Sequence, residues 1–201
     1  MITFNKENHE YRDEDGLLIP SVTQVLQSAG LSDFSKINNE VLDTACQRGS
    51  VVHKITELHD RGVLDPKTVH PELEGYFEAY KSFLAMYRIK KFFEIEKMVY
   101  HPQWKYVGTL DRIAEIEAMV FLYDIKTGVP SISHDIQDSA YMDAYNVTCK
   151  KPQNMIDKAG TLYLEESGKF KFVIMKEPVF VNFTIFKSAL TIHNFKLKTR
   201  K

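Results

Sequence analysis

Residues 108–128, GTLDRIAEIEAMVFLYDIKTG, decide the fold because they combine two strand-like runs with a short break between them. The first run, Gly108–Ile116, alternates β-branched and polar residues in the manner of a strand. Ala118 and Met119 lie near the break, and the second run, Val120–Lys126, is mostly apolar. The pattern predicts a two-stranded hairpin.

Three polar side chains lie at the open end of this predicted hairpin. Asp124 and Lys126 are two residues apart, so both project from one face of the second strand while Ile125 points to the other. In a simple hairpin Asp111 lies near both. Two carboxylates repel each other unless a cation offsets their charge, and hard oxygen ligands suit Mg²⁺ or Mn²⁺. A lysine beside them can stabilise an anionic transition state or orient a water. The spacing therefore predicts a metal site at this end of the hairpin.

The same residues resemble a known nuclease signature. Asp111 followed by Asp124-Ile-Lys126-Thr-Gly resembles the D…(D/E)-x-K motif of the PD-(D/E)XK nuclease superfamily. The D-x-K triplet alone is not specific to this superfamily. It is accompanied by GTLD on the partner strand, by Gln137-x-x-x-Tyr141 and by Arg48-Gly-x-x-x-His53. Together these motifs resemble the RecB-like branch, which includes phage recombination exonucleases and the mitochondrial genome-maintenance exonuclease. The resemblance covers roughly residues 20–175.

The resemblance implies a fold and a metal centre. The fold is α/β, with a restriction-endonuclease-like core in which helices flank a central mixed sheet. His53, Asp111, Asp124 and the backbone carbonyl of Ile125 would hold one or two Mg²⁺ or Mn²⁺ ions. Lys126 would position the attacking water or neutralise the scissile phosphate. The implied activity is metal-dependent hydrolysis of DNA phosphodiester bonds.

The resemblance also implies residues that support DNA binding. Gln137 and Tyr141 would contact the DNA backbone or brace the catalytic lysine, and a helix packed on the sheet is the structural alternative. Arg48 belongs to the motif that contains the histidine. Ser21 and Thr23 lie in PSVTQVL, a phrase similar to the opening of phage and mitochondrial members, and either residue can also cap a short helix over 24–29.

A further carboxylate lies in the strand predicted over residues 92–100. Simple alternation places Glu94 and Glu96 on one face and Phe93 and Ile95 on the other. Glu96 resembles a strand glutamate of the family, which would make it an extra metal or water ligand. A solvated strand residue is the alternative.

Helical periodicity predicts the remaining long elements. Apolar residues recur at three-and-four spacing over 39–61, 72–87, 135–146 and within 178–195. The aromatic stripe of the second of these helices is expected to lie in the core.

His53 and Gly49 both lie in the first long predicted helix. His53 on an inward face is, taken alone, more often a buried or capping residue than a ligand, and the surrounding motif favours a ligand. Gly49 costs about 1 kcal/mol in a helix relative to alanine, which a close approach to the sheet or to substrate would explain.

Composition limits the classes of protein to which the chain can belong. The 201 residues suffice for one domain, predicted over 1–201, with 1–20 as an amino-terminal extension and 196–201 as a basic tail. The formal net charge of −1 gives no overall nucleic-acid signal. Cys46 and Cys149 are the only cysteines, so the sequence predicts neither a disulfide framework nor the four-cysteine iron–sulfur cluster of several RecB-like nucleases.

The expected function is a DNA exonuclease of phage-type recombination, replication or processing. The expected partners are single- or double-stranded DNA ends and a phage recombination or annealing protein, with no membrane, in the cytoplasm of a bacterial host. A site-specific or structure-specific endonuclease of the same superfamily and a non-catalytic DNA-binding module remain as alternatives. A structural module with solvated charges is the third.

Overall fold

The computed structural model describes residues 2–5, 10–32 and 38–199. A small antiparallel sheet contains, in spatial order, β1 (Thr3–Asn5), β2 (Glu10–Arg12) and β3 (Leu18–Ile19). The main five-stranded sheet contains, in spatial order, β4 (Phe92–His101), β5 (Tyr106–Ile116), β6 (Met119–Lys126), β7 (Lys158–Leu164) and β8 (Phe170–Ile174). The helices are α1 (Val22–Ser28), α2 (Asn39–Asp60), α3 (Pro71–Met86), α4 (Ile132–Thr148) and α5 (Val179–Thr199).

The main sheet is mixed and covered on both faces. β6 and β7 run parallel, and the other neighbouring strands are antiparallel. One core cluster joins the sheet to α1, α4 and α5, and a second joins it to α2 and α3. Helices on both faces leave residues 120–125 of β6 buried, which explains their nearly continuous apolar run. The α/β class with a central mixed sheet flanked by helices is confirmed.

The hairpin predicted over residues 108–128 is formed by β5 and β6. Arg112 pairs with Tyr123, and Ile116 pairs with Met119. The turn residues Glu117 and Ala118 have φ angles of 51° and 63°. Two-residue hairpins favour positive φ at both central positions because that twist matches the strands. The turn thus accepts non-glycine residues at a cost on the order of 1 kcal/mol each.

Side-chain alternation in β5 is interrupted beside the predicted site. Leu110 and Ile113 both pack in the cluster of α1, α4 and α5, whereas Ala114 packs in the cluster of α2 and α3. Strict alternation would place Leu110 and Ile113 on opposite faces. The interruption falls at Asp111 and Arg112, and both of these side chains contact α2.

The first and last described elements are the small sheet and α5. Tyr11 and Ile19 of the small sheet pack on Val107 of β5. At the other end, α5 continues beyond the predicted boundary and includes residues 196–199 of the expected basic tail. Lysines in a last helical turn interact favourably with the helix dipole, which explains why the helix extends this far. Residues 200–201 of that tail lie outside the described residues.

Helix starts follow their capping residues. Asn38 caps α2, and its side chain accepts a hydrogen bond from the backbone of Glu40. Ser131 caps α4, so this helix begins three residues before the predicted start at residue 135. Across residues 2–5, 10–32 and 38–199, no helix has both the length and the apolar character needed to cross a bilayer.

Candidate metal centre and active site

Three of the predicted ligands meet between α2 and the sheet. His53, Glu96 and Asp111 each offer one ligand atom, and these atoms lie within 4.8 Å of one another. His53 Nδ1 is 3.4 Å from Asp111 Oδ1 and 3.9 Å from Glu96 Oε1. Carboxylate oxygens suit Mg²⁺ and Mn²⁺, and an imidazole nitrogen favours the softer Mn²⁺ over Mg²⁺. The residues present therefore fit a divalent cation.

The D-x-K residues lie beside this cluster, as the hairpin register requires. Lys126 Nζ forms an ion pair with Asp124 Oδ2, which confirms that the two side chains share a face. The backbone nitrogen of Ile125 donates to Asp111 Oδ2 at 2.6 Å. This bond places Asp111 beside the residue that follows Asp124, but the group of ligand atoms within 4.8 Å of one another does not include Asp124. The role of the Ile125 carbonyl as a ligand stays a prediction.

Burial and charge shift the pKa values of Asp124, Asp111 and His53. Burial raises the pKa of Asp124 to about 6; Lys126 opposes this shift and Asp111 adds to it. Burial also acts on Asp111, but the charge and hydrogen bond of His53 outweigh it and lower the pKa to about 2. Burial lowers the pKa of His53, but the charge and hydrogen bond of Asp111 outweigh this effect and raise the pKa to about 10. His53 and Lys126 are therefore cations that offset the charge of Asp111 and Asp124.

A fully buried arginine connects this cluster to α2. Arg112 Nε donates to Asp60 Oδ2 at 2.5 Å, Nη1 to Glu96 Oε1 at 2.9 Å and Nη2 to Thr56 Oγ1 at 3.1 Å. Breaking a buried pair of this kind typically costs about 3–5 kcal/mol. Arg112 was not among the predicted site residues. The signal was present, because a charged residue inside a strand covered on both faces must be paired.

Glu96 reaches the cluster through an unusual backbone conformation. Its φ of 51° lies in the left-handed region, where a non-glycine residue is rare. Glu96 contacts His53 and Arg112, whereas Glu94 lines a cavity beside Tyr145 of α4. The expectation that Glu94 and Glu96 share a face is therefore wrong, because the left-handed residue breaks the alternation. Strain of this kind is found preferentially at functional sites.

Gln137 and Tyr141 form a unit on α4. Gln137 Nε2 donates to Tyr141 Oη at 2.9 Å, and Tyr141 is buried. The Tyr141 ring lies against Gly108 of the GTLD motif; a Cβ at that glycine would be 2.3 Å from Tyr141 Cε1. Burial raises the pKa of Tyr141, and the nearby Asp124 charge raises it further. Contact of this pair with DNA stays a prediction.

The remaining predicted support residues lie on two cavities. Arg48 lines a cavity of about 460 Å³ with Thr127 and Gly128, immediately after the D-x-K triplet. Its Nε is buried and makes no hydrogen bond within the described part of the chain. Thr23 lines a second cavity, of about 260 Å³. Ser21 lines this cavity too, but its hydroxyl already accepts a hydrogen bond from Gln24 as the cap of α1.

Asp138 is a carboxylic acid of the site that the sequence interpretation missed. It is fully buried on α4 and accepts a hydrogen bond from Thr161 Oγ1 at 3.1 Å, while its Oδ1 has no hydrogen-bond partner among the described residues. Thr161 is paired with Asp124 across β6 and β7. Burial raises the pKa of Asp138 well above its ordinary value, and Asp124 adds to the shift. Burial therefore disfavours the ionised form of this carboxyl group.

Known proteins offer one weak structural similarity to this chain. No protein-family model and no curated protein matches the chain. Among solved structures, the crystal structure of SSO0001 is similar over 74% of this chain and 71% of that chain, with 15% identity and a TM-score of 0.34. A TM-score this low does not establish a shared fold. Membership of the PD-(D/E)XK superfamily stays a prediction.

Proposed function

We propose that this chain is a Mg²⁺- or Mn²⁺-dependent deoxyribonuclease that hydrolyses phosphodiester bonds from DNA ends. The observation that supports the proposal is the convergence of His53, Asp111, Asp124 and Lys126, which come from one helix and two strands. Buried ionisable groups with shifted pKa values and specific charge partners favour a functional site over a solvated surface.

The proposed ligands are His53, Asp111 and Asp124, with Glu96 as a fourth donor from β4. When bound, the ion would supply a water of lowered pKa and a positive charge for the phosphate oxygens. Arg112 holds the Glu96 carboxylate at 2.9 Å and thereby fixes the orientation of that donor. The chain thus organises the donors through buried hydrogen bonds.

Lys126 is the proposed catalytic cation of the chain. Burial alone would lower its pKa, but Asp124 and Asp111 outweigh that effect and keep the pKa above its usual range. The ammonium therefore stays charged at neutral pH and can donate to an anionic phosphate oxygen or hold the attacking water. Aiming such a donor at developing charge is the usual basis of electrostatic catalysis.

The DNA backbone would be held beside this site by local groups. The net charge of −1 gives the chain no general attraction for phosphate. The cavity lined by Arg48, Thr127 and Gly128, the two residues that follow Lys126 among them, also contains Lys171, and Glu165 and Glu166 partly offset its positive charge. Phosphate contacts position DNA without reading its sequence. We therefore expect cleavage of any sequence; a phage recombination or annealing protein as partner stays a prediction.

The proposal is tested by digestion of end-labelled linear single-stranded and double-stranded DNA beside a covalently closed circle, with Mn²⁺, Mg²⁺ or EDTA. We expect loss of linear DNA from its ends, no cleavage of the circle, and no activity in EDTA or in Asp111→Asn. Cleavage of the circle would indicate an endonuclease. DNA binding without cleavage in either metal would indicate a non-catalytic module, and activity that survives thorough chelation would contradict the metal mechanism.

A further inference from the structure

The outer face of α5 is uncharged although it lies at the surface. The inner face packs on α1 and α4 through residues such as Phe183, Phe186 and Leu190. Phe180 and Phe195 on the outer face are 70% and 66% exposed. From residue 180 to residue 195 every exposed side chain is uncharged; these belong to Phe180, Thr184, Ile185, Ser188, Thr191, Ile192, Asn194 and Phe195. A helix that lacks a charged outer face is typically covered by other protein.

The lysines beside this face hold their charges against other parts of the molecule. Lys187 Nζ lies 5.4 Å from the ring centroid of Trp104 and 5.2 Å from that of Phe183, which belongs to the inner face. Lys196 Nζ donates a hydrogen bond to the backbone carbonyl of Ser28 in α1. These two ammonium groups therefore do not cover the exposed apolar side chains of α5.

The order of residues along this face is the same in both directions. Phe180, Thr184, Ser188, Thr191 and Phe195 follow one another at spacings of four, four, three and four residues, so they form one stripe along the helix. The stripe reads Phe-Thr-Ser-Thr-Phe from either end. An interface between two copies related by a two-fold axis needs such a self-complementary surface, because the same patch meets itself in reverse.

A two-fold axis near Ser188 gives each side chain of the stripe a matching neighbour. Phe180 of one copy then lies beside Phe195 of the other, and Thr184 lies beside Thr191. The small side chains at the centre allow the two helices to approach closely, while the phenylalanines at the ends supply most of the apolar area. Aromatic pairs of this kind contribute beyond the area that they bury.

Charges beyond the two ends of the stripe favour the antiparallel arrangement. Glu177 lies three residues before Phe180, Lys198 lies three residues after Phe195, and both are exposed. In an antiparallel pair Glu177 of each copy faces Lys198 of the other, and the two helix dipoles oppose each other. A parallel pair would instead bring like charges together at both ends.

We propose that the outer face of α5 binds a second copy of this chain, with the two helices antiparallel and Ser188 near the two-fold axis. The face lies on the side of the sheet that carries α1 and α4, whereas α2 and α3 cover the other side. Dimerisation therefore leaves α2, which carries His53, uncovered. The inference does not depend on the proposed nuclease function.

The size of the face sets the expected strength of the dimer. Burial of both phenylalanine rings removes on the order of 250 Å² per copy from water. Standard protein interfaces bury about 1,200–2,000 Å² in total, so a single helix pair falls near the lower end of that range. We therefore expect a reversible dimer with a Kd in the micromolar range.

The test is sedimentation equilibrium of the whole chain at low ionic strength, without metal or DNA, from about 1 to 200 µM. The variants are Ser188→Arg, Glu177→Lys, Lys198→Glu and the double charge exchange Glu177→Lys with Lys198→Glu. The matched control is Ser82→Arg, which changes an exposed serine of α3 in the same way. Thermal melting checks that each variant is folded.

We expect wild type and Ser82→Arg to pass from monomer to dimer over this range. Ser188→Arg should weaken the dimer at least about tenfold, because two guanidinium groups meet at the axis. Each single charge reversal should weaken it about threefold to tenfold, and the double exchange should restore the wild-type Kd.

Three results would overturn the inference. Wild type that stays monomeric at every concentration would assign the face to a different partner. Equal dimerisation of Ser188→Arg and wild type would place the interface elsewhere, and failure of the double exchange to restore the dimer would contradict the antiparallel pairing. None of these results bears on DNA cleavage, so the dimer and the proposed function stand or fall separately.

Discussion

Asp111 and Asp124 are both buried, yet their surroundings give them different acidities. Asp111 accepts a backbone hydrogen bond from Ile125 and faces His53, and its pKa falls to about 2. Burial dominates at Asp124, so its pKa rises to about 6 despite the contact with Lys126. One carboxylate is therefore ionised throughout the physiological range, and the other becomes ionised just below neutrality.

The first prediction concerns the proton on His53. Because its pKa is raised to about 10, a metal ion that binds the imidazole below that pH must displace a proton. Each unit of pH then changes the apparent affinity about tenfold, or about 1.4 kcal/mol. We expect the Kd for Mn²⁺, measured by calorimetry, to fall about tenfold between about pH 7 and pH 8. In His53→Gln the affinity should be weaker and this dependence should disappear; the same slope in both proteins would show that His53 is not a ligand.

The sequence predicted the positions of some side chains of the site and not of others. The spacing of Asp124 and Lys126 was sufficient because two residues on a strand share a face unless the backbone is irregular. The backbone is irregular at Glu96, which has a positive φ, and no local residue pattern predicts this conformation. Asp138 follows Gln137 on a helix and looks like an ordinary surface carboxylate until the tertiary packing buries it.

At the scale of elements, α2 carries a glycine that its own packing does not require. Among residues 2–5, 10–32 and 38–199, a Cβ at Gly49 would meet only Thr127 Oγ1, at 3.7 Å, an ordinary van der Waals distance. The sequence suggested that the backbone at Gly49 closely approaches either the sheet or the substrate. No atom of the sheet lies close enough to require a glycine at this position. Space for substrate in the cavity that Thr127 lines is the remaining reason.

The second prediction is that Gly49→Ala stabilises the fold and impairs function. Helix propensity should raise the free energy of unfolding by about 1 kcal/mol, measured by denaturant titration. DNA affinity should fall, because the added methyl group occupies substrate space. Gly75→Ala in α3 is the control with the opposite sign: its Cβ would lie 1.7 Å from the Glu166 carbonyl oxygen, so overpacking should cost about 1–3 kcal/mol. Unchanged DNA affinity in Gly49→Ala would contradict the proposed substrate path.

The elements themselves were largely predictable. The β5–β6 hairpin followed from two runs of strand-forming residues, and the long helices followed from three-and-four spacing. The parallel pairing of β6 with β7 was not predicted, because it depends on the crossover through α4 rather than on any adjacent turn. The interruption of β5 at Asp111 and Arg112 is likewise a tertiary feature, set by contacts with α2.

At the scale of the whole molecule, the metal ion should stabilise the folded chain. Only the fold brings His53, Glu96 and Asp111 together, so Mn²⁺ should bind the native state and not the unfolded chain. At a hundredfold excess over Kd this linkage gives about 2.7 kcal/mol. For a chain of this size we expect a rise in Tm of about 5–10 °C, reversed by EDTA. Asp111→Asn should abolish the shift; a shift of equal size in that variant would place the bound metal elsewhere.

The most direct test of the catalytic claim separates metal binding from cleavage at the D-x-K residues. For Lys126→Ala, Asp124→Ala and the exposed control Lys176→Ala, calorimetry measures Mn²⁺ binding and single-turnover kinetics measure cleavage of end-labelled linear DNA. Loss of a donor aimed at transition-state charge typically lowers the rate by roughly 10²–10³. Lys126→Ala should therefore bind Mn²⁺ and DNA while cleaving slowly, Asp124→Ala should lose both metal and cleavage, and Lys176→Ala should match wild type. Cleavage by Lys126→Ala at the wild-type rate would contradict the assignment of this site as a nuclease centre.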